Sequence, residues 1–223
     1  MLPRSPQYVN IHAHRMAVDE GEWVLTSLFA QDYPPERPDE GVYSVGIHPW
    51  HLREIHQEEL LKIVRLSLEN NHVLAVGEAG LDKMAEAPME EQEALFRAQV
   101  DLAELADVPV VVHAVKTHHL LLEFMKQHTP SVPVIIHGYQ GSRQMAEDLV
   151  EAGCFLSFGE TLLQDRPKQR EAFAAVPPES LFLETDESEV PIVRIYEAAA
   201  EVMGMETETL REVMLQNVAT CFG

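Results

Sequence analysis

Two histidines separated by a single residue end the first apolar run of the chain, VNIHAH, which begins at Val9. If this run is a β-strand, His12 and His14 point to the same face and lie about 6.5 Å apart along the chain. Two imidazoles placed in this way can converge on one metal ion. A lone His-x-His pair can equally mark the place where a strand meets solvent, so the rest of the sequence has to separate the two interpretations.

Further residues of the same chemical types end later apolar runs. They are His48 in VYSVGIH, Glu78 in VLAVGEAG, His113 in VPVVVHAV, His137 in VPVIIHGY and Asp186 in LFLETDE. Taken singly, such a histidine can be a core residue with a satisfied ring, and such an aspartate can be a helix N-cap. Taken together, the four histidines at positions 12, 14, 113 and 137 and the two carboxylates of Glu78 and Asp186 form a ligand set that suits two divalent ions. A buried carboxylate also needs an opposite charge to offset its desolvation, which a metal ion supplies.

The elements that position these residues follow a repeating pattern of short apolar runs and helical stretches. Unbroken runs rich in Val, Ile and Leu are typical of parallel strands buried on both faces. Helical spacing of apolar residues predicts helices over 56–71, 89–106, 118–127, 142–152, 167–175, 192–203 and 207–220. Eight strands with mostly alternating helices predict an α/β fold of the (β/α)8 TIM-type barrel class, whose chemistry lies at the C-terminal ends of the strands. A doubly wound open sheet is the competing architecture.

The beginning of the chain fits this barrel less regularly. Between His14 and Tyr43 there is room for one strand and irregular connections, so the first two β/α units are expected to be degenerate. The segment DYPPERPDEG at 32–41 contains three prolines and predicts a loop. Since no linker or repeat marks a second domain, residues 1–223 are expected to form one barrel domain.

Composition and charge restrict the class of protein. The chain is 46% hydrophobic and 24% charged, which is ordinary for a globular protein. Neither a membrane-length apolar run nor a signal-peptide pattern is present, so we expect a cytoplasmic protein without membrane partners. Cys154 and Cys221 are far apart, which fits packing roles in a reduced compartment. Sixteen Lys and Arg against 37 Asp and Glu give a net charge of −21, which disfavours binding of long duplex nucleic acid.

Several segments carry a resemblance to a known family. NIHAH, GIHPW, VGEAGLD, QEALFRAQ, PVVVHAV, IIHGYQGS, LFLETD and NVATCFG occur in the order seen in the TatD-like deoxyribonuclease family, which the chain resembles over nearly its whole length. The resemblance implies a metal-dependent hydrolase on a (β/α)8 barrel that uses two divalent ions. It also implies which residues bind them: His12, His14, Glu78 and Asp186 for one ion, and Glu78, His113 and His137 for the other, with Glu78 bridging.

The same residues suggest a division of roles. Divalent ions lower the pKa of water, and Asp186 is the candidate to orient the attacking water and accept its proton, beside the bridging Glu78. His48 and Lys116 are candidates for contacting the scissile group, and Arg143 adds positive charge after the sixth strand. The ligand types are compatible with Zn²⁺, Mn²⁺ or Mg²⁺. Other basic residues that follow strands, Arg15 and Arg194 among them, are also expected on ordinary solvated loops.

Departures from the family pattern leave the substrate open. Asn10 replaces the usual Asp, Ala114-Val115-Lys116 replaces Ser-Arg and an acidic residue, and DESEVPIVR after LETD is short. The resemblance favours a phosphodiesterase acting on single-stranded DNA ends as a 3′ exonuclease, or on a small phosphoester. One alternative is an amidohydrolase-type C–N or C–O hydrolase; many of these use a carbamylated lysine on strand four, where this chain has Glu78. The other is a catalytically silent metal-binding scaffold.

Overall fold

Eight parallel strands form the centre of the protein. The computed structural model describes residues 1–5, 7–34, 38–53 and 56–223. The strands are β1 (Tyr8–Ala13), β2 (Glu22–Phe29), β3 (Val42–Gly46), β4 (Val73–Asp82), β5 (Val110–Val115), β6 (Val134–Ile136), β7 (Cys154–Phe158) and β8 (Leu181–Leu183). Each strand pairs in parallel with the next one along the chain, so that sheet order equals sequence order.

The first and last strands meet through the residues that follow β8. The backbone N–H of Asp186 donates to the carbonyl of His12 at 3.0 Å, and the N–H of His14 donates to the carbonyl of Asp186 at 3.3 Å. Ala13 and Asp186 thereby form a parallel bridge. The sheet is a nearly closed barrel, which confirms the predicted (β/α)8 class over the open-sheet alternative.

Helices cover the outside of the barrel from the third strand onwards. They are α1 (Gln57–Ser67), α2 (Met89–Ala106), α3 (His118–His128), α4 (Arg143–Glu151), α5 (Pro167–Ala174), α6 (Ile192–Met203) and α7 (Thr207–Phe222). Each corresponds to one of the seven predicted helical stretches. No described residue between β1 and β2 is helical, and β2 and β3 are joined through a short 3-10 turn at Ala30–Asp32. The degenerate first units are therefore confirmed; the predicted loop at 32–41 falls partly outside the described residues.

Strand burial explains the apolar runs of the sequence. All residues of β3, β6 and β8 are buried, as parallel strands between a packed interior and a helical layer must be. Gly80 lets β4 approach β5, because a Cβ at this position would overlap the carbonyl oxygen of His113. Cys154 and Cys221 are buried free thiols, and burial raises the pKa of each to about 12. Among the described residues, no helix is both long enough and apolar enough to cross a membrane.

Candidate metal centre

Glu78 lies at the centre of a cluster of histidines and carboxylates at the C-terminal ends of the strands. Its side chain is only 4% exposed, and each of its two oxygens faces a different group of residues. The cluster combines residues from β1, β4 and β5 with residues that follow β3, β6 and β8. Sequence positions as far apart as 12 and 186 therefore meet at one point, as the C-terminal face of a barrel requires.

One side of the cluster has the spacing of an open metal site. Glu78 Oε2 lies 3.5 Å from the Nε2 atoms of both His12 and His14, and Asp186 Oδ1 lies 3.5 and 3.6 Å from the same two nitrogens. Four ligands bound at about 2.1 Å in a tetrahedron lie about 3.4 Å from one another. These four atoms are thus farther apart than most hydrogen-bonded pairs and match the separation of atoms that share an ion.

The ring of His12 supports the same interpretation. Its side chain is fully buried, and neither ring nitrogen has a hydrogen-bond partner among the described residues. A buried polar atom without a partner costs free energy, and such atoms are rare in folded proteins. An ion bound to Nε2 would satisfy one of these nitrogens. The four ligand atoms and the unpartnered nitrogen of His12 therefore both fit a site that binds a metal ion.

Glu78 Oε1 faces the second group. His113 Nδ1 and His137 Nε2 each lie 2.7 Å from this oxygen, which is hydrogen-bonding distance, and His48 Nε2 lies 3.4 Å away. His12, Glu78 and His137 place ligand atoms within 4.8 Å of one another, and so do His48, Glu78 and His113. The structure therefore brings all six residues predicted as ligands into one cluster able to bind metal.

Each of the two histidines at Glu78 Oε1 is also held from behind by a carboxylate. His113 Nε2 lies 3.1 Å from Asp82 Oδ2, and His137 Nδ1 lies 3.4 Å from Glu184 Oε1. Histidines that bind metals commonly donate their outer N–H to a carboxylate, which fixes the ring and raises its basicity. Asp82 and Glu184 were not predicted as site residues. The sequence did contain an indication for Glu184: it lies two positions before Asp186, and in an extended segment such residues point to the same face.

The charges of the cluster are strongly coupled. Burial favours the neutral form of Glu78, but the charge of His137, hydrogen bonds from His113 and His137, and the nearby ring of His14 hold its pKa well below the usual range. Burial likewise opposes a charge on His137, but Glu78 and Glu184 raise its pKa well above the usual value. The Glu78 carboxylate, 3.5 Å from Nε2, is the main cause of the raised pKa of His14. Cations are therefore strongly favoured around an ionised Glu78.

Behind β1, a polar network ties the cluster to the neighbouring strands. Asn10 accepts from the backbone N–H of Thr185 at 3.0 Å and donates to Thr185 Oγ1 at 2.8 Å. It also donates to Glu22 Oε1 at 2.9 Å, and Glu22 accepts two hydrogen bonds from the guanidinium of Arg15. This network fixes the backbone directly before Asp186. It also shows that Arg15 is bound to Glu22, so its charge is already compensated.

His48 occupies a different chemical position from the other histidines. Its Nδ1 accepts a hydrogen bond from the backbone N–H of Trp50 at 3.1 Å. A neutral imidazole that accepts at Nδ1 carries its proton on Nε2, and burial lowers the pKa of His48, which favours the neutral ring. In this tautomer Nε2 carries its proton towards Glu78. It can therefore donate a hydrogen bond to a bound substrate, but it does not bind a metal ion.

The two cationic candidates differ in placement. Lys116 is exposed at the end of β5, and its ammonium contacts the sulfur of Met84 at 3.4 Å. Arg143, the first residue of α4, is exposed and donates to Glu147 on its own helix at 2.9 Å. Near Asp186, a recess of about 320 Å³ is lined by the loops after β6, β7 and β8, including Gln140, Glu160 and Ser188.

Comparison with known proteins identifies the family of this chain. The model of the TatD related DNase family matches residues 29–223. The chain belongs to the TatD related DNase family. An uncharacterized metal-dependent hydrolase of Escherichia coli, YjjV, is 32% identical over 92% of this chain and 84% of its own length. The crystal structure of this TatD homologue superposes with a TM-score of 0.85, at 26% identity over 96% of this chain and 97% of that one.

One relative carries the name of a nuclease, and a second solved structure shares the fold. A protein of Erwinia billingiae, named as a 3′-5′ ssDNA/RNA exonuclease, is 31% identical over 74% of this chain and 65% of its own length. A TatD family hydrolase from Entamoeba histolytica shares the fold, with a TM-score of 0.76 at 14% identity, covering 97% of this chain and 98% of that one. The predicted family and enzyme class are therefore confirmed: the chain is a TatD-family, metal-dependent hydrolase with a cluster of His, Glu and Asp residues able to bind metal.

Proposed function

We propose that this hydrolase acts on phosphodiester bonds and removes nucleotides from the 3′ ends of single-stranded DNA, with two divalent ions held around Glu78. The observation that carries the proposal is the arrangement of ligands on both oxygens of this one buried carboxylate. Two ions that share a carboxylate suit the in-line displacement at phosphorus, because both the attacking and the leaving oxygen need stabilisation. Relatives named as ssDNA and RNA exonucleases support the choice of substrate class.

The residues divide between the two ions as their atoms divide around Glu78. His12, His14 and Asp186 would hold one ion with Oε2. His113 and His137, which both contact Oε1, would hold the other. Zn²⁺ is favoured by the four imidazoles, while Mn²⁺ and Mg²⁺ are compatible with the carboxylates. When bound, such ions lower the pKa of water and neutralise phosphoryl oxygens.

The side chains of this chain supply the remaining steps. Asp186 is 44% exposed at the mouth, so its carboxylate can orient an incoming water and accept its proton. The N–H of His48 at Nε2 faces Glu78 Oε1 at 3.4 Å, beside the metal-binding residues, and would donate to a phosphoryl oxygen of a substrate bound there. Because its Nδ1 is occupied by the N–H of Trp50, His48 acts as a fixed donor in this scheme.

The net charge of −21 favours a short or end-bound substrate over a long duplex. A duplex lying across the surface would approach many carboxylates, whereas a strand end inserts a few phosphates where metal charge would offset Glu78 and Asp186. Lys116 would add one cation at the rim, beside β5. A cytoplasmic location, predicted from the sequence, is compatible with this substrate.

Digestion of single-stranded oligonucleotides tests the proposal. A 5′-labelled strand is incubated with the protein and Mg²⁺, Mn²⁺ or Zn²⁺, and products are resolved by length. We expect a ladder that shortens from the 3′ end and much slower cutting of blunt duplex. Glu78→Ala should abolish the cleavage and should also lower the number of bound metal ions per chain, which elemental analysis measures. Glu86→Ala, which removes an exposed carboxylate in the loop after β4, is the control that should keep both.

The outcomes separate the candidate functions. A protein that binds two equivalents of metal but cuts no oligonucleotide or small phosphodiester would contradict the proposed chemistry. A ladder that persists in Glu78→Ala would show that the activity belongs to a contaminant or to another site.

A further inference from the structure

Trp50 is a large aromatic side chain left exposed beside the metal-binding cluster. It lies in the 3-10 turn Pro49–His51 that follows β3, and 61% of its surface is accessible. Its ring lies 4.9 Å from the ring of His48 and 6.3 Å from that of His113, centroid to centroid. Single exposed apolar side chains are ordinary on a protein surface. This one lies beside the candidate metal ligands, where its ring is placed to contact a molecule that binds at the mouth.

The indole is held in a fixed orientation. Its Nε1–H donates to Asp82 Oδ2 at 2.7 Å, and Asp82 is buried. The same carboxylate oxygen lies 3.1 Å from His113 Nε2, so the indole and a candidate metal ligand share one anchor. The backbone of Trp50 is fixed as well, because its N–H donates to His48 Nδ1. A ring fixed at both ends loses little conformational entropy when a ligand stacks on it.

Two further side chains extend this surface. The backbone N–H of Met84 donates to the other oxygen of Asp82 at 2.7 Å, and the Met84 side chain is 64% exposed. The ammonium of Lys116 contacts the Met84 sulfur at 3.4 Å. We call Trp50, Met84 and Lys116 the Trp50 surface. It combines an aromatic face with a thioether and one cation: Trp50 and Met84 are both bonded to Asp82, and Lys116 contacts Met84.

We propose that the Trp50 surface binds one unpaired nucleobase of the substrate by stacking on the indole, with Lys116 paired to a neighbouring phosphate. This inference rests on the proposed function and specifies its substrate: a strand whose base near the scissile bond is free to unstack. Every base has a π-face, so stacking on tryptophan is tolerant of sequence. A base held in a duplex cannot reach the ring without unpairing, which makes single-stranded ends the preferred substrates.

Binding of a nuclease-resistant, phosphorothioate-linked octathymidylate tests the stacking directly. The chain has two tryptophans, and Trp23 is buried and tied to the Met1 carbonyl at the other end of β2. In a Trp23→Phe protein loaded with metal, Trp50 is therefore the sole source of tryptophan fluorescence. We expect the octathymidylate to quench this fluorescence. A matched strand with abasic residues at its last three 3′ positions should bind about 5- to 100-fold more weakly and leave the fluorescence nearly unchanged.

A pair of variants separates stacking from the hydrogen bond to Asp82. Trp50→Phe and Trp50→Leu both lose the indole N–H, but only phenylalanine keeps an aromatic face. We expect Trp50→Phe to bind octathymidylate within about 3-fold of the parent and Trp50→Leu to bind about 5- to 100-fold more weakly. Metal affinity, measured by calorimetry, should be equal in the two variants because both lack the same contact with Asp82.

The proposed stacking on Trp50 can fail while the proposed nuclease function holds, and the reverse is also possible. Equal binding by Trp50→Phe and Trp50→Leu, or equal quenching by the abasic strand, would overturn the stacking even if the enzyme trims oligonucleotides. Quenching that depends on bases, in a protein that hydrolyses no oligonucleotide, would uphold the stacking and overturn the nuclease proposal.

Discussion

Asn10 on β1 and Glu22 on β2 are diagonal neighbours, and the Asn10 amide donates to Glu22 Oε1 at 2.9 Å with both residues buried. Burial works against the ionised form of Glu22, but hydrogen bonds from Arg15 and Asn10 keep its pKa below the usual value. The amide at position 10 therefore has a physical reason in this chain. An aspartate here would set a second carboxylate against an ionised Glu22 in a buried place.

The first prediction is that Asn10→Asp destabilises the fold. It removes the amide donor to Glu22 and to Thr185, and it places two carboxylates in contact, so we expect a loss of about 2 to 4 kcal/mol at neutral pH. Urea unfolding measures this loss. Glu22→Gln in the same protein supplies an amide opposite the new aspartate and should restore a part of it. If Asn10→Asp is as stable as the parent, the hydrogen-bonded network behind β1 contributes little to stability.

The second prediction concerns the carboxylates behind His113 and His137. Asp82→Asn and Glu184→Gln keep the shape of each side chain but weaken the orientation and basicity of the histidine ring in front of it. We expect each variant to bind divalent metal about 10- to 100-fold more weakly, since outer partners of metal-binding histidines have effects of this size. Isothermal calorimetry with Zn²⁺ or Mn²⁺ gives the affinities. Glu160→Gln, a change at the nearby recess, serves as the control; an equal loss there would show a general charge effect.

A third prediction separates a hydrogen-bond donor from a metal ligand. His48→Ala removes the N–H at Nε2, and we expect metal stoichiometry and affinity to stay within about 3-fold while hydrolysis falls about 100- to 1000-fold, the usual cost of a lost transition-state donor. His48→Asn, which retains an N–H donor on a shorter side chain, should recover part of the rate. A large fall in metal affinity for His48→Ala would instead identify His48 as a ligand.

The barrel and the identity of the cluster follow from local sequence patterns. The runs VYSVG, VII and LFL read as buried strands because all of their side chains point into apolar layers. The histidines and carboxylates at their ends could be recognised because other polar types were missing there. Which residue lies at the C-terminal end of a strand follows from where the apolar run ends, and this position can be read from the sequence.

The partners of these residues could not be read from the sequence in the same way. The role of Asp82 depends on His113 in β5 and on Trp50 in the turn after β3, which are 31 and 32 positions away. The proton of His48 is fixed by one backbone N–H. Arg15 and Arg194 follow strands, as a substrate-binding cation would, but they contact Glu22 and Glu197 respectively. Which partner each of these side chains contacts depends on how closely separate elements pack together, which local sequence patterns do not encode.

The last prediction uses a histidine outside the metal-binding cluster. His118 begins α3, packs edge-on against Tyr139 at 5.0 Å, and its Nε2 has no hydrogen-bond partner among the described residues. Burial, with smaller contributions from His119 and His113, lowers its pKa to about 4. Above pH 6.5 the ring is neutral in the folded and unfolded chains, and its contribution to stability is complete. As the pH falls from 6.5 towards 4, the unfolded chain takes up the proton first, so stability is lost over this window.

His118→Phe removes this titration and keeps a ring against Tyr139. The parent should lose up to about 3 kcal/mol more stability than the variant between pH 7 and pH 4, because a pKa difference of one unit corresponds to about 1.4 kcal/mol. Urea unfolding of both proteins across this range gives the difference directly, and carboxylates elsewhere cancel because the two chains share them. Parallel stability profiles would mean that the folded protein accommodates a charged His118, and that the ring reaches solvent or a carboxylate when protonated.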